Sequence, residues 1–309
     1  MVLAKDFIET VEGLVFAVVE SGLEQGKVLC FLRYIRLNNQ WKKLNTVEAN
    51  QYLADYYPHY LYYSAVKQAH CHALSIEQIF KHHQPKEKVK QLLLADDNDP
   101  IQKDCATLCA LFQEHGLNLD LVGITGSILI SAQKQSSDID LVFYSREAFN
   151  QARKITQTLI IKGHCSELTE QDWLDSYERR RCDLSYQEYV WHEKRKFNKA
   201  MIQQRKFDLS FVDMTPVNTS TSYQKLKPIV VQLKIEDDTF AFDYPAKFIV
   251  NHSAIHSIVC YTATYTGQAK AGEWIEVSGL VEQSTDGEKR IVVGSNREAN
   301  GEYIKVINV

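Results

Sequence analysis

Two short motifs near the middle of this chain of 309 residues constrain how it can fold. The dipeptide Gly126-Ser127 is followed, after ten residues, by Asp138-Ile139-Asp140 at the start of an apolar run. The order predicts a strand, a turn, a short helix and a second strand. Because alternate residues of a strand point to the same face, we expect Asp138 and Asp140 to project together.

The residues of these motifs favour a phosphate site that depends on a metal ion. Two carboxylates held side by side repel each other, and a cation between them removes the repulsion. Their oxygens suit Mg²⁺, which keeps some waters and takes substrate phosphates as further ligands. A glycine permits close approach of the backbone to a phosphate. Ser127 at a helix start offers a hydroxyl and an N–H group. Gly126 and Ser127 are therefore predicted substrate ligands, and Asp138 and Asp140 metal ligands.

A third carboxylate is expected on an adjacent strand. Asp208 is the candidate, because it lies in the alternating strand predicted over residues 207–212, where an unpaired carboxylate is costly. Asp213 is a weaker candidate at the strand end, next to a turn at Pro216. With three carboxylates we expect two Mg²⁺ ions, or Mn²⁺ in their place. One would neutralise a triphosphate and the other would lower the pKa of an attacking hydroxyl.

The ordered set of Gly-Ser, Asp-x-Asp and a later strand Asp resembles the DNA polymerase beta-type nucleotidyltransferase superfamily. The resemblance covers about residues 118–213. It implies transfer of a nucleoside monophosphate from a nucleoside triphosphate, with Asp138, Asp140 and Asp208 as catalytic metal ligands. The segments DFIETVEGLVFAVV, GITGSILIS and AKFIV resemble a group of predicted nucleotidyltransferases of unknown substrate that is common in archaea.

Three regions are predicted, in an α+β fold. Residues 1–95 combine strand-like and helical segments in an N-terminal accessory domain. Residues 96–222 form the nucleotidyltransferase domain, with a polymerase beta-like mixed sheet and helices. Residues 223–309 are rich in alternating β segments and suggest a small all-β barrel or sandwich. The acidic stretch 96–99 and the polar linker 218–223 mark the boundaries.

Some elements are predicted with more detail. Asp99 as N-cap and Pro100 at the first helical position predict a helix to about Glu114, with Cys105, Leu108, Cys109, Leu111 and Phe112 as its apolar stripe. The tyrosine-rich residues 56–63 are predicted as a strand. Residues 184–201 are predicted as a helix.

The basic residues 192–199 have two interpretations. They hold a triphosphate or an RNA backbone, with Lys196 and Lys199 as substrate ligands and aromatic side chains near enough to stack on bases. Alternatively, they form an amphipathic helix with core aromatics and solvated charges, in which Glu188 and Glu193 are intrahelical partners. Most of the segment fits the second interpretation, and the roles of Lys196 and Lys199 stay open.

Composition limits the setting of the protein. The net charge of −4 gives no global nucleic-acid signature, although a local basic patch remains compatible with it. Seven scattered cysteines favour reduced thiols in the cytoplasm. The start of the chain lacks the apolar core of a secretory signal, and the longest apolar runs are too short to span a bilayer. We therefore expect a cytoplasmic protein without membrane association.

The leading functional hypothesis is Mg²⁺-dependent transfer of a nucleotide onto a hydroxyl acceptor, with an RNA end as one such acceptor. A second hypothesis is a catalytically silent nucleotide- or RNA-binding module with the same fold. A third is nucleotidylation of a protein or a small molecule. The intact trio of Asp138, Asp140 and Asp208 favours the first and third over the second. The sequence makes no choice of nucleotide, acceptor or oligomeric state.

Overall fold

The structure is a computed structural model that describes residues 1–65, 69–94, 99–215, 222–296 and 300–307. Within these ranges it contains seven α-helices and seventeen strands in three sheets, which confirms the α+β class. Most of the predicted boundary segments 96–99 and 218–223, and the turn at Pro216, lie outside these ranges. Across the same ranges, no helix has both the length and the apolar character needed to cross a membrane.

The chain divides into two compact units. Unit 1 comprises Met1–Ile155 and Ile202–Asn218, and unit 2 comprises Thr156–Met201 and Thr219–Val309. Unit 1 therefore contains the N-terminal region together with the Gly-Ser and Asp motifs. This partition differs from the three predicted regions, whose boundaries stay a prediction.

Unit 1 begins with a seven-stranded sheet accompanied by two helices. The strand order is β5-β6-β3-β2-β1-β7, and β4 pairs with β3. Alternating apolar residues of β2 and β3 pack with Ala49 and Leu53 of α1 to form its core. In chain order the elements are β1 (Phe7–Glu9), β2 (Leu14–Val18), β3 (Lys27–Leu37), β4 (Gln40–Lys43), α1 (Thr46–Tyr56), β5 (Leu61–Ser64), β6 (Ala69–Ser75), β7 (Lys81–His83) and α2 (Pro85–Leu94).

The strand predicted over the tyrosine-rich residues 56–63 is shorter than expected. The α1 helix extends to Tyr56, and Pro58–Tyr60 form a 3-10 turn before β5 begins at Leu61. Pro58 supplies the fixed φ of the first turn position. Tyr60 is buried against Phe16, with ring centroids 5.3 Å apart, so core packing holds the turn in place.

The central part of the chain carries the two motifs. Its sheet has the strand order β10-β11-β9-β8, in which β9 pairs parallel with β11 and antiparallel with β8. Its elements are α3 (Pro100–Glu114), β8 (Val122–Thr125), α4 (Gly126–Leu129), β9 (Ile139–Phe143), α5 (Arg146–Ile161), α6 (Glu170–Arg180), α7 (Tyr186–Lys194), β10 (Lys199–Ile202) and β11 (Arg205–Phe211).

The α3 helix has the predicted start and covers one face of this sheet. Asp99 Oδ1 accepts a hydrogen bond from the Ile101 N–H at 2.8 Å, as expected of an N-cap. Phe112 meets Phe143 of β9 and Phe207 of β11 edge-on, with centroids 6.4 and 6.5 Å apart. The even-numbered residues of β9 and β11 therefore project from the opposite face.

One helix is predicted over residues 184–201, but the structure has the shorter helix α7 there, followed by the strand β10. Ser185 and Glu188 form a capping box that starts α7 at Tyr186. The α7 helix ends at Lys194, Phe197 adopts a positive φ of 51°, and β10 begins at Lys199. A residue with positive φ cannot continue an α-helix, so the amphipathic pattern stops there.

The remaining strands form a six-stranded sheet in unit 2. Its order is β12-β13-β14-β16-β15-β17, and β12 also pairs with β15. Trp173, Leu184 and Tyr189 pack into the same core as its buried residues. The strands are β12 (Tyr223–Asp237), β13 (Ala246–Val250), β14 (Ser257–Cys260), β15 (Trp274–Ser284), β16 (Lys289–Val293) and β17 (Tyr303–Val306).

Truncating Phe112 tests whether α3 holds the central sheet together. Phe112→Ala removes a fully buried ring in contact with two strands, and is expected to reduce the free energy of unfolding by about 3–5 kcal/mol. The neighbouring Gln113 is exposed, so Gln113→Ala should change it by less than about 0.5 kcal/mol. Urea denaturation measures both. Equal effects of the two substitutions would contradict this packing.

Candidate active site

The two strands that carry the predicted carboxylates lie side by side. Asp140 of β9 is the register partner of Asp208 of β11. Register partners in adjacent strands share a face of the sheet, and this face is opposite to the one that α3 covers. Asp138 directly precedes β9, and its charge acts on the Asp140 carboxyl group. The structure thus brings Asp140 and Asp208 together, and Asp138 lies directly before the same strand.

The Gly-Ser turn borders Asp140 on its other side. Thr125, the last residue of β8, is the register partner of Asp140, and Gly126 follows with a φ of 70°. A Cβ atom at residue 126 would lie 2.3 Å from Asp140 Oδ2. A glycine adopts this φ without steric cost and leaves room for the carboxylate. The backbone of Gly126 therefore lies directly against Asp140.

Ser127 occupies the second position of α4, which is a single turn of four residues. It is half-buried, and its carbonyl oxygen accepts a hydrogen bond from the Ala132 N–H at 2.9 Å. The buried Ile128 and Leu129 anchor this turn. Ser127 therefore follows, on a fixed backbone, the glycine that lies against Asp140. Its role as a phosphate ligand stays a prediction.

The charge at Asp140 is held in an unfavourable environment. Burial, the largest cause, and the negative charge of Asp208 raise the pKa of Asp140 to about 6. Lys5 opposes this rise, Asp138 adds to it, and Lys43 again opposes it. A bound cation would stabilise the ionised form of Asp140, because it would offset the repulsion from Asp208 and Asp138.

The site fits a divalent cation in the chemistry of its donors. Carboxylate oxygens that repel each other suit Mg²⁺ or Mn²⁺. As they are arranged, the residues that the structure describes include no group of three His, Cys, Asp or Glu side chains that could hold a metal ion. Mg²⁺ is usually bound by one or two carboxylates, with waters and substrate phosphates as further ligands. Asp140 and Asp208 therefore suit an ion that keeps waters or phosphate oxygens as its further ligands.

Arg205 fixes the loop that leads to Asp138, and it belongs to none of the predicted motifs. Its Nε donates to Asp104 Oδ2 on α3 at 2.8 Å. Its Nη1 donates to the carbonyl oxygens of Gln135 at 2.8 Å and Ser137 at 2.9 Å. The start of the Asp208 strand is thereby tied to the residue before Asp138. The only signal in the sequence is an arginine three residues before Asp208.

Asp213, the alternative third carboxylate, has different partners. It lies beyond the end of β11, where its Oδ1 accepts a hydrogen bond from the Thr215 N–H at 2.8 Å. Arg146 Nη2 lies 3.9 Å from its other oxygen. Because Asp208 and not Asp213 is in register with Asp140, Asp208 remains the candidate for the third carboxylate.

Lys196 and Lys199, the other predicted substrate ligands, belong to an ion-pair cluster in unit 2. The buried Lys196 Nζ donates to Glu193 and to the carbonyl oxygen of Thr264 at 3.1 Å, and Lys199 donates to the second oxygen of Glu193. Burial disfavours the charge of Glu193, but the two lysines lower its pKa to about 2. Glu193 is thus an ion-pair partner, but both lysines lie beyond the end of α7 and Lys196 is buried, so the expected solvated, intrahelical pairing is wrong here. The substrate role of the two lysines stays a prediction.

The chain resembles a known protein along its whole length. It is 32% identical to the uncharacterized protein MJ1086 of Methanocaldococcus jannaschii, over 98% of both chains. The chain belongs to the family of this archaeal protein. No protein-family model matches the chain, and no solved structure matches it. The name of this relative states no activity.

Replacing Asp140 by Asn is expected to stabilise the protein at neutral pH without divalent cations. The folded-state pKa of about 6 exceeds the usual value of 3.8, so the ionised carboxylate destabilises the fold above that pH. The penalty declines as the pH falls through 6 and disappears below about 4, where both states bind the proton. Thermal denaturation should show a gain of about 1–2 kcal/mol in the free energy of unfolding at neutral pH and none in acid.

The control for Asp140→Asn is Asp120→Asn, at an exposed aspartate, which should show no such pH dependence. A gain for Asp140→Asn that is the same at both pH values would contradict the electrostatic explanation.

Gly126→Ala tests the steric contact with Asp140. Gly26 is a matched control, because it has a φ of 78° and a Cβ there would meet no atom within 4 Å. Gly26→Ala should cost about 1 kcal/mol from backbone strain alone, and Gly126→Ala about 2 kcal/mol more from overlap with the carboxylate. The extra cost should disappear when Asp140 is also replaced by Ala. An extra cost that persists in this double variant would show that the contact is not with the carboxylate.

Proposed function

We propose that the protein is a Mg²⁺-dependent nucleotidyltransferase that moves a nucleoside monophosphate from a nucleoside triphosphate onto a hydroxyl acceptor. The register pairing of Asp140 with Asp208, beside Gly126, carries the proposal. Strand, Gly-Ser turn, short helix and Asp strand follow in the order of the polymerase beta-type nucleotidyltransferases that the sequence resembles. The sheet of β8, β9 and β11 would then be the catalytic sheet, with α3 on one face and the carboxylates on the other.

Each residue of the site has a distinct task in this reaction. Asp138, Asp140 and Asp208 would hold Mg²⁺ together with the triphosphate, and the ion supplies charge neutralisation and a lowered pKa for the acceptor hydroxyl. The acceptor oxygen forms a bond to the α-phosphorus while the bond to the β-phosphate breaks and pyrophosphate leaves. Asp208 accepts the proton of the acceptor hydroxyl. The Gly126 backbone and the Ser127 hydroxyl orient the phosphate oxygens.

An RNA end is the acceptor that the strands of unit 2 favour. Pairings lead from β12 through β13, β14, β16 and β15 back to β12, and therefore form a ring. A ring of this kind supports the barrel over the sandwich, the two forms expected for residues 223–309, and small barrels of the OB type bind single-stranded nucleic acid. A pocket of about 230 Å³ is formed by these strands and their connecting segments. Its lining includes the aromatic, basic and acidic side chains of Tyr223, Phe240, Lys247, Arg290, Asp243 and Glu288.

Transfer from a labelled nucleotide tests the proposal. The protein is incubated with Mg²⁺, total RNA or total protein, and each ribonucleoside triphosphate labelled at the α-phosphate. Label should enter RNA, and removal of divalent ions should abolish it. Asp138→Asn, Asp140→Asn and Asp208→Asn should each reduce labelling by about a hundredfold or more, because each removes a charge that acts on the transition state. Asp120→Asn serves as the control, since Asp120 is exposed.

The alternatives give other outcomes in the same assay. Label in the protein or small-molecule fraction would replace the RNA end as acceptor and keep the transferase. Nucleotide binding without any labelled product would identify a silent binding module with the same fold. If the wild-type protein neither binds nor transfers any of the nucleotides, the proposed function is wrong.

A further inference from the structure

The first residues of the chain cross the face of the sheet that carries the carboxylates. Leu3 and Ala4 pack against Val142, Tyr144 and Val212. Val142 follows Asp140 by two residues in β9, so the two side chains share that face. The start of the chain is therefore brought to the carboxylates by packing over an apolar part of the same surface.

Lys5, the next residue, is fixed beside Asp140 by its backbone. Its N–H donates to the Val18 carbonyl oxygen at 2.9 Å, and its own carbonyl oxygen accepts from Thr125 Oγ1 at 2.8 Å. Thr125 is the register partner of Asp140. These two hydrogen bonds join β2, Lys5 and the end of β8.

The backbone of Lys5 adopts a conformation that favours glycine. Its φ is 73°, and this left-handed region costs a residue with a Cβ about 1 kcal/mol. The Lys5 side chain is exposed, so it contributes little apolar packing to offset that cost. A role in binding a ligand, rather than in stabilising the folded protein, would explain why a long cationic side chain occupies this position.

A second lysine approaches the carboxylates from the hairpin of β3 and β4. Lys43 is the register partner of Tyr34, and Tyr34 packs with Leu129 and Ile130, which follow Ser127 in the chain. Burial is the main cause that raises the pKa of Tyr34, Arg33 opposes it, and the negative charge of Asp140 adds to the rise. The hairpin therefore lies within electrostatic reach of Asp140.

The two faces of β4 distinguish Lys43 from its neighbour Lys42. Trp41 and Lys43 are two residues apart and share a face, and Trp41 packs against the cluster of Tyr34, Leu129 and Ile130. Lys42 projects from the other face, opposite Ile35 in register. Both lysines are exposed. They therefore have similar solvation and differ mainly in the face of β4 from which the side chain projects.

We propose that Lys5 and Lys43 bind the phosphates of the nucleoside triphosphate, so that the N-terminal sheet completes the substrate site. The inference rests on the proposed function. Three carboxylates alone would repel a triphosphate, and two exposed ammonium groups on the same side offset that repulsion. Lysine binds phosphate as a point charge with freely rotating donors, which suits side chains that reach in from a separate sheet.

Binding of unreactive nucleotides tests this inference on the full-length protein. Isothermal titration calorimetry with each α,β-methylene ribonucleoside triphosphate and Mg²⁺ gives the dissociation constants. Lys5→Gly and Lys43→Gln should each weaken triphosphate binding about tenfold and weaken binding of the corresponding monophosphate much less. Lys42→Gln should bind as the wild-type protein does. Lys5→Gly should melt at or above the wild-type temperature, because glycine relieves the backbone strain.

The outcomes separate this inference from the proposed function. If the wild-type protein binds no triphosphate, the proposed function fails. If it does bind and Lys5→Gly and Lys43→Gln bind equally well, the two lysines are not phosphate ligands and the proposed function stands. An equal loss in Lys42→Gln would overturn the inference, because general charge would then explain the effect. If Lys5→Gly melts below the wild-type temperature, the proposed role of Lys5 is wrong. The binding constants of Lys43→Gln would then show whether Lys43 alone is a phosphate ligand.

Discussion

The parallel pairing of β9 with β11 is the interaction on which the site depends. It sets Asp140 opposite Asp208, and so places two negative charges on neighbouring strands. The fold tolerates this because the other face of the same strands is apolar. There Phe143 and Phe207 pack against Phe112 of α3. The stability contributed by one face thus offsets the repulsion gathered on the other, and a bound cation would remove that repulsion.

The surroundings of this pair allow little movement. Gly126 lies so close to Asp140 that no side chain fits between them, and Arg205 holds the loop before Asp138 through the carbonyl oxygens of Gln135 and Ser137. Backbone and side-chain contacts of this kind fix carboxylates more firmly than a loop could. Groups that are fixed before a ligand binds need less reorganisation when it binds.

Sequence patterns predicted those features that depend on residues close together in the chain. Apolar alternation marked the strand of Asp208, which the structure pairs in register with the strand of Asp140. The period of two also predicted that Asp138 projects with Asp140, but Asp138 lies just before that strand. The position of Lys5 was not foreseeable, because its hydrogen bond with Thr125 joins residues 120 positions apart and no periodicity spans that distance. The basic residues 192–199 were visible but ambiguous. Lys196 and Glu193 form a buried ion pair three residues apart. An exposed ion pair on a helix surface has the same spacing, so the sequence does not distinguish the two.

The connection between the two Asp strands explains why the chain is hard to divide into modules. Parallel strands need a crossover connection, and here residues 156–201, between β9 and β11, belong to unit 2. Within that unit, Trp173, Leu184 and Tyr189 share one core with the C-terminal strands. Removing residues 225–309 would expose that core inside the crossover itself. A truncation would therefore disturb the segment that returns the chain to Asp208.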